Sequence, residues 1–132
     1  MAAVDRPVMK PRPVYLNLFA IRMPLPAVVS ILHRASGALL FLVGIPLVLW
    51  TLQQALTSPE SWAEMRSAFQ SPLAKIIAIV LAWAFIHHLF AGIRHVLMDL
   101  DVGVELASAR RSAAAALVLA IVVTLAIAVR LW

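Results

Sequence analysis

Three stretches of this chain contain no Asp, Glu, Lys or Arg: 25 residues between Arg34 and Glu60, 18 between Lys75 and Arg94, and 18 between Arg111 and Arg130. A helix needs about 20 mainly apolar residues to cross the hydrocarbon core of a bilayer. Each stretch reaches that length when extended slightly into its flanks. In lipid every backbone N–H and C=O must be satisfied within the protein, which leaves only helices and closed barrels. Barrel strands alternate lipid-facing and lumen-facing residues, whereas these runs are continuously apolar. The sequence therefore predicts an all-α integral membrane protein. Its three helices, at 28–52, 73–98 and 112–131, run up, down and up, and form a single anchor domain over residues 1–132 with an N-terminal surface arm.

Composition agrees. Hydrophobic residues make up 64% of the chain and charged residues 13%, about half the charge of a soluble domain. A chain this short cannot hide so much apolar surface inside one globule. That argues against a soluble enzyme, a disordered tail and a nucleic-acid-binding domain. The net charge of +5 sits in clusters between the apolar runs, as membrane topology requires. Arg6, Lys10, Arg12 and Arg22 precede span one, against Asp5 alone, and Arg34 lies near its start. Arg110 and Arg111 precede span three, whereas Glu60, Glu64 and Arg66 occupy the first loop. Basic residues near span ends stay on the cytoplasmic side. The N-terminus is thus expected inside and the C-terminus outside, with Arg130 as one basic residue on the outer side.

Pro7, Pro11, Pro13, Pro24 and Pro26 fall within the first 27 residues, and no apolar h-region occurs there, so no secretory signal peptide is expected. The arm is expected to lie extended on the membrane surface, with span one starting near Pro26 or Ala27. Ser58-Pro59-Glu60 and Ser71-Pro72 read as N-caps followed by proline at the first helical position. The first predicts a short helix at 59–69 and the second opens span two. Pro46 predicts a kink inside span one, because it cannot bond the Leu42 carbonyl.

Ionisable residues at membrane depth are expensive, which makes them functional candidates. In span two, His88, Gly92, His95 and Asp99 follow i, i+4, i+7, i+11 spacing and share a face, while His87 points about 100° away. His88 and His95 stand about 10 Å apart along the axis, too far to bind the same small metal ion. One of them could ligate a haem iron while the other works near the rim of the macrocycle. Gly92 would let a flat macrocycle approach the backbone, or equally let another helix pack closely. In span one, Ser30, His33, Arg34 and Gly37 share a face. Antiparallel helices bring that cluster to the depth of the histidines. His33, Arg34 and Arg94 could hold carboxylates such as haem propionates; Ser30 and Arg34 could bond the carbonyl of a membrane-soluble ligand. Helix capping, interfacial anchoring and interhelical bonding account for the same residues without any ligand. His95 and Asp99, one turn apart, could relay protons or form a plain interfacial pair.

These residues carry a resemblance. Arg12-Pro13 with Leu16 and Leu18, Ser30-Ile31-Leu32-His33-Arg34-Ala35-Ser36-Gly37, Ser58-Pro59-Glu60, His88 with Gly92-Ile93-Arg94-His95, and Asp99 together resemble the cytochrome b556 membrane-anchor family of succinate dehydrogenase (complex II). The resemblance spans nearly the whole chain. It implies a multi-pass subunit of the bacterial cytoplasmic membrane that holds a flavoprotein and an iron–sulfur subunit at the cytoplasmic face. With a second three-helix anchor it would share one b-type haem. His88 occupies the position of the axial ligand to the haem iron. His33, Arg34 and His95 match positions beside the haem propionates or the quinone pocket. Ser30 and Arg34 match quinone-binding positions, and Asp99 matches an acidic residue near that pocket. The His87-His88 pair departs from the family, in which a single histidine is usual.

The chain has no cysteine and no Rossmann fingerprint, so flavin and iron–sulfur chemistry must come from partners. It would be the membrane subunit of an enzyme, with quinone as the substrate it helps bind. Two alternatives stand beside this: an anchor of a quinol:fumarate reductase, and a haem-free membrane scaffold or transporter subunit.

Overall fold

A computed structural model describes residues 17 and 20–132. Arg6, Lys10, Arg12-Pro13, Leu16 and Leu18, and with them most of the expected surface arm, lie outside the described residues. The described chain is helical throughout, with no strand: α1 (Leu25–Leu39), a single wide turn (Leu40–Gly44), α2 (Ile45–Thr57), α3 (Pro59–Ala68), α4 (Pro72–Asp99) and α5 (Leu106–Leu131). Three helices are long and apolar enough to span a bilayer: Leu25–Thr57, Pro72–Asp99 and Leu106–Leu131. The first, at 33 residues, is about 50 Å long at 1.5 Å per residue. It exceeds a hydrocarbon core of about 30 Å, so its ends reach the interfaces.

The helix boundaries follow local chemistry. Pro24 is the N-cap of α1, and its carbonyl accepts from the amides of Ala27 and Val28 at 2.9 and 3.2 Å. Ser58 and Ser71 cap α3 and α4, each accepting from the amide three residues on, at 3.1 and 3.3 Å. Glu60, in the first turn of α3, has its carboxyl held below the usual range, first by its own backbone amide and then by the Ser58 side chain. Helix α4 ends in a Schellman motif. The Val102 amide donates to the Leu97 carbonyl and the Asp101 amide to that of Met98, at 2.9 and 3.0 Å, with Asp101 left-handed at φ 60°.

The break expected at Pro46 takes a specific form. Ile45 N–H donates to the Leu40 carbonyl, closing one π-helical turn immediately ahead of the proline. A π-turn absorbs one extra residue. It also avoids asking Pro46 for the hydrogen bond it cannot make.

Small residues hold the three spans together. Ala109, Ala113, Ala116, Ala120 and Thr124 form the buried stripe of α5, and Ala84, His87, Ala91 and Arg94 recur at alternating three- and four-residue spacing on the buried face of α4. Lipid is as apolar as leucine, so helices in a membrane associate by close packing rather than hydrophobic burial, and alanine lets backbones approach. Val29, Ala91 and Ala113 meet where α1, α4 and α5 converge. At the opposite end of the bundle the Lys75 ammonium lies 5.5 Å from the ring centroid of the C-terminal Trp132, within cation–π range. Large apolar residues such as Phe41, Leu42 and Val129 point outward. The chain is a membrane protein.

Candidate functional site

Helices α1 and α4 run antiparallel and meet through two reciprocal insertions. The imidazole of His88 lies against Gly37, where a Cβ would stand 2.8 Å from His88 Cε1. His33 lies over Gly92, where a Cβ would stand 3.4 Å from His33 Nε2. Gly37 makes room for His88, whereas a Cβ at Gly92 would meet His33 only at the edge of ordinary contact. The two rings stack at 4.0 Å between centroids and 11° between planes, and His95 packs edge-on to His33 at 4.8 Å and 71°. His33 packs over Gly92, which also borders an open groove beside His88.

Hydrogen bonding fixes the state of His88. Its Nδ1 is 3.0 Å from the His33 carbonyl oxygen, and Ser36 Oγ donates to the same oxygen at 2.9 Å. A carbonyl only accepts, so Nδ1 carries the proton. Ser36 Oγ, 3.2 Å from Nδ1, is a second acceptor for that proton. In the neutral ring the lone pair then resides on Nε2, which has no hydrogen-bond partner among the described residues. An Nδ1–H bonded to a backbone carbonyl is the usual support of a metal-ligating histidine, because it leaves the Nε2 lone pair for the metal. His88 borders an apolar groove of about 510 Å³ whose walls include Leu40, Gly44, Val48, Leu81 and Phe85. On its other side it borders a second groove of about 330 Å³, formed by Leu89, Gly92, Ile93 and Val96.

The remaining candidates divide. His95 joins the cluster through His33. Ser30 is half-buried and Arg34 exposed, one turn apart in the first third of the span Leu25–Thr57; Asp99 is the exposed last residue of α4. Arg94 turns away from the histidines into the α4–α5 interface. It is 6% exposed, with Nε donating to Ser112 Oγ at 3.1 Å and Nη2 to the Ala109 carbonyl at 3.4 Å. His87 also faces inward. It is fully buried and stacks on Trp83 at 5.2 Å and 11°, with neither ring nitrogen hydrogen-bonded among the described residues. No group of three His, Asp or Glu side chains among the described residues could hold a metal ion.

Comparison with known proteins now fixes the lineage. Residues 9–127 match the succinate dehydrogenase/fumarate reductase transmembrane subunit family. The chain belongs to that family. Among its relatives is the succinate dehydrogenase cytochrome b556 subunit of Paracoccus denitrificans, 38% identical over 104 residues, which are 79% of each chain. Another is the subunit of the same name from Coxiella burnetii (strain RSA 493 / Nine Mile phase I), 34% identical over 122 residues, 92% of this chain and 97% of that one.

Within this succinate dehydrogenase/fumarate reductase anchor, sequence reasoning passed over two features of the site. Ser36 lies inside the matched motif, but its hydroxyl was given no work. The signal available was its position three residues after His33, from which a serine on a helix reaches back to a carbonyl. Gly37 was assigned to the polar face without a partner. That His88 occupies its missing side chain depends on interhelical register, which no single segment encodes.

Proposed function

We propose that this chain is a membrane-anchor subunit of succinate:quinone oxidoreductase that holds one side of a b-type haem through His88 and contributes Ser30 and Arg34 to the quinone-reduction site. The observation that carries this is the His88 Nδ1–His33 carbonyl bond beside the apolar groove. The residues present fit the group. A neutral imidazole of fixed tautomer offers one ligand, and the groove beside it is almost wholly apolar. Because no three-ligand cluster exists among the described residues, an iron bound here would take its other ligands from outside them. A macrocycle and a histidine from a second three-helix anchor would supply them.

Bound at His88, a b-type haem supplies a one-electron store. The chain's own residues do the rest. Ser36 and the His33 carbonyl hold the His88 ring in the ligating tautomer, and Arg34 offers a charge-assisted bond to a propionate or to the quinone. Ser30 and Arg34 can each donate to a quinone oxygen, and these bonds strengthen as the oxygen gains negative charge. Quinone takes two electrons, delivered by the iron–sulfur subunit from the flavoprotein, and two protons from the side where His95 and Asp99 lie. In this scheme the Asp99 end of the bundle faces the cytoplasm and the chain sits in the bacterial inner membrane. Arg94 packs against α5 through its bonds to Ser112 and the Ala109 carbonyl, and its remaining N–H donors are the ones a propionate would use. The family also includes fumarate reductase subunits, which run the same parts in the opposite direction.

Absorption spectra of purified complexes carrying His88→Leu or His87→Leu, with subunit content measured in the same samples, test the ligand. His88→Leu is expected to lose or shift the b-type spectrum while His87→Leu retains it. A parent-like spectrum in the His88 variant, or loss confined to His87→Leu, overturns the assignment. A parent complex with no haem returns the chain to the class of membrane scaffolds.

A further inference from the structure

The wide turn at Leu40–Gly44 decides which residue borders the groove beside His88. Ser36 and Gly44 are both buried, on the side of the helix that faces α4. At about 100° per residue, the eight steps from Ser36 to Gly44 overshoot two full turns by about 80°. Seven steps fall only about 20° short. A regular α-helix would therefore place Val43 on the Ser36 face and turn Gly44 aside. The structure has the reverse: Gly44 borders the groove, and Val43 is 44% exposed on the outer surface. The extra residue taken up between Leu40 and Ile45 makes the exchange. Pro46 maintains it. In an α-register residue 46 must donate to the Leu42 carbonyl, and proline has no N–H and clashes with that carbonyl.

We infer that the Leu40–Gly44 π-turn, enforced by Pro46, is a device that admits the macrocycle, replacing a valine by a glycine on the wall of the groove that His88 borders. It rests on the haem assignment proposed above. The missing Gly44 side chain is not demanded by packing within the chain. A Cβ there would meet only Leu40, at 3.4 Å, an ordinary van der Waals contact. A glycine that the fold could replace, buried beside an open apolar groove, is accounted for by something that enters the groove.

The test measures haem per assembled complex by pyridine haemochrome, with subunit stoichiometry determined on the same preparations. Gly44→Leu is expected to lower haem occupancy at limiting haem by about tenfold, as overpacking a filled site does. Gly44→Ala is expected to assemble fully and shift the haem absorption or reduction potential, so the inference remains testable if the leucine variant fails to assemble. Pro46→Ala is expected to lower occupancy, and adding Val43→Gly to it is expected to restore occupancy; Val43→Gly alone is expected to match the parent. Full occupancy with an unshifted spectrum in both Gly44 variants overturns the inference, and Pro46→Ala loss that Val43→Gly does not restore overturns the exchange mechanism. These results are distinct from failure of the haem assignment, which shows as a parent without haem or as a parent-like spectrum in His88→Leu.

Discussion

Gly37 and Ser36 both act on His88, but with different force. A methyl group at Gly37 would stand 2.8 Å from His88 Cε1, closer than side chains tolerate, so the ring must move and the Nδ1–carbonyl bond with it. Gly37→Ala is expected to shift the haem spectrum or lower haem content in an assembled complex. Ser36→Ala removes one acceptor of 3.2 Å while the bond to the His33 carbonyl persists. Its cost is about 1 kcal/mol or less, and its spectrum should stay near that of the parent. A larger effect from Ser36→Ala than from Gly37→Ala would contradict the geometry. At the proposed quinone site, Ser30→Ala deletes one donor and little volume. Loss of a donor that acts mainly in the transition state costs about 10²-fold. The variant is expected to lose succinate:quinone activity on that scale, with succinate oxidation by an artificial acceptor and the haem spectrum preserved. Unchanged quinone kinetics would remove Ser30 from the site.

Among the elements, α5 is the most sensitive to side-chain size. Ala113 is fully buried where three helices meet, and a leucine there should cost about 1–3 kcal/mol by overpacking. Val118, 56% exposed on the same helix, should accept leucine with little effect. Thermal inactivation of the solubilised complex separates the two, and equal stability would argue against α5 packing through its alanine stripe. The turn after α4 offers the opposite change. Asp101 adopts φ 60°, a conformation that costs most L-residues about 1–2 kcal/mol, so Asp101→Gly is expected to stabilise this connection slightly. In α3 the depressed Glu60 carboxyl contributes stability at neutral pH that is lost as pH falls through its lowered range. Amide protection factors in α3, normalised to the intrinsic exchange rate at each pH, should therefore fall in acid for the parent, and Glu60→Gln should flatten that pH dependence.

For the whole molecule, the distribution of basic residues sets the expected orientation. Arg22 and Arg34 at the start of span one and Arg110 and Arg111 at the start of span three lie at one end of the bundle, the end that also holds His33, His88 and His95. A reporter fused after Trp132 should be active only when it reports the outer compartment. Cytoplasmic activity of that fusion would put the histidine cluster on the wrong side for an iron–sulfur partner. The outward-facing apolar surface of the bundle has the same origin as its small-residue interior. Helices that cannot be driven together by water keep their large side chains for lipid and partner subunits, and their alanines for each other.

The sequence by itself determined the number of spans and the capped starts of α3 and α4, because these depend on local quantities, the length of uncharged runs and a serine before a proline. The first and third spans run past the expected 28–52 and 112–131, to Leu25–Thr57 and Leu106–Leu131, because a helix continues beyond its uncharged core. The sequence also put His88, Gly92 and His95 on one face, since helical periodicity alone settles that. The tertiary structure decided which partner each of them meets. Gly92 meets His33, Gly37 takes His88, and Arg94 turns to Ser112, because such pairings depend on the relative register and rotation of two helices far apart in sequence. Pro46 announced a break in span one, but its form did not follow from the proline. A kink and a π-turn both relieve the missing hydrogen bond, and of the two it is the π-turn that keeps Ser36 and Gly44 buried on one face.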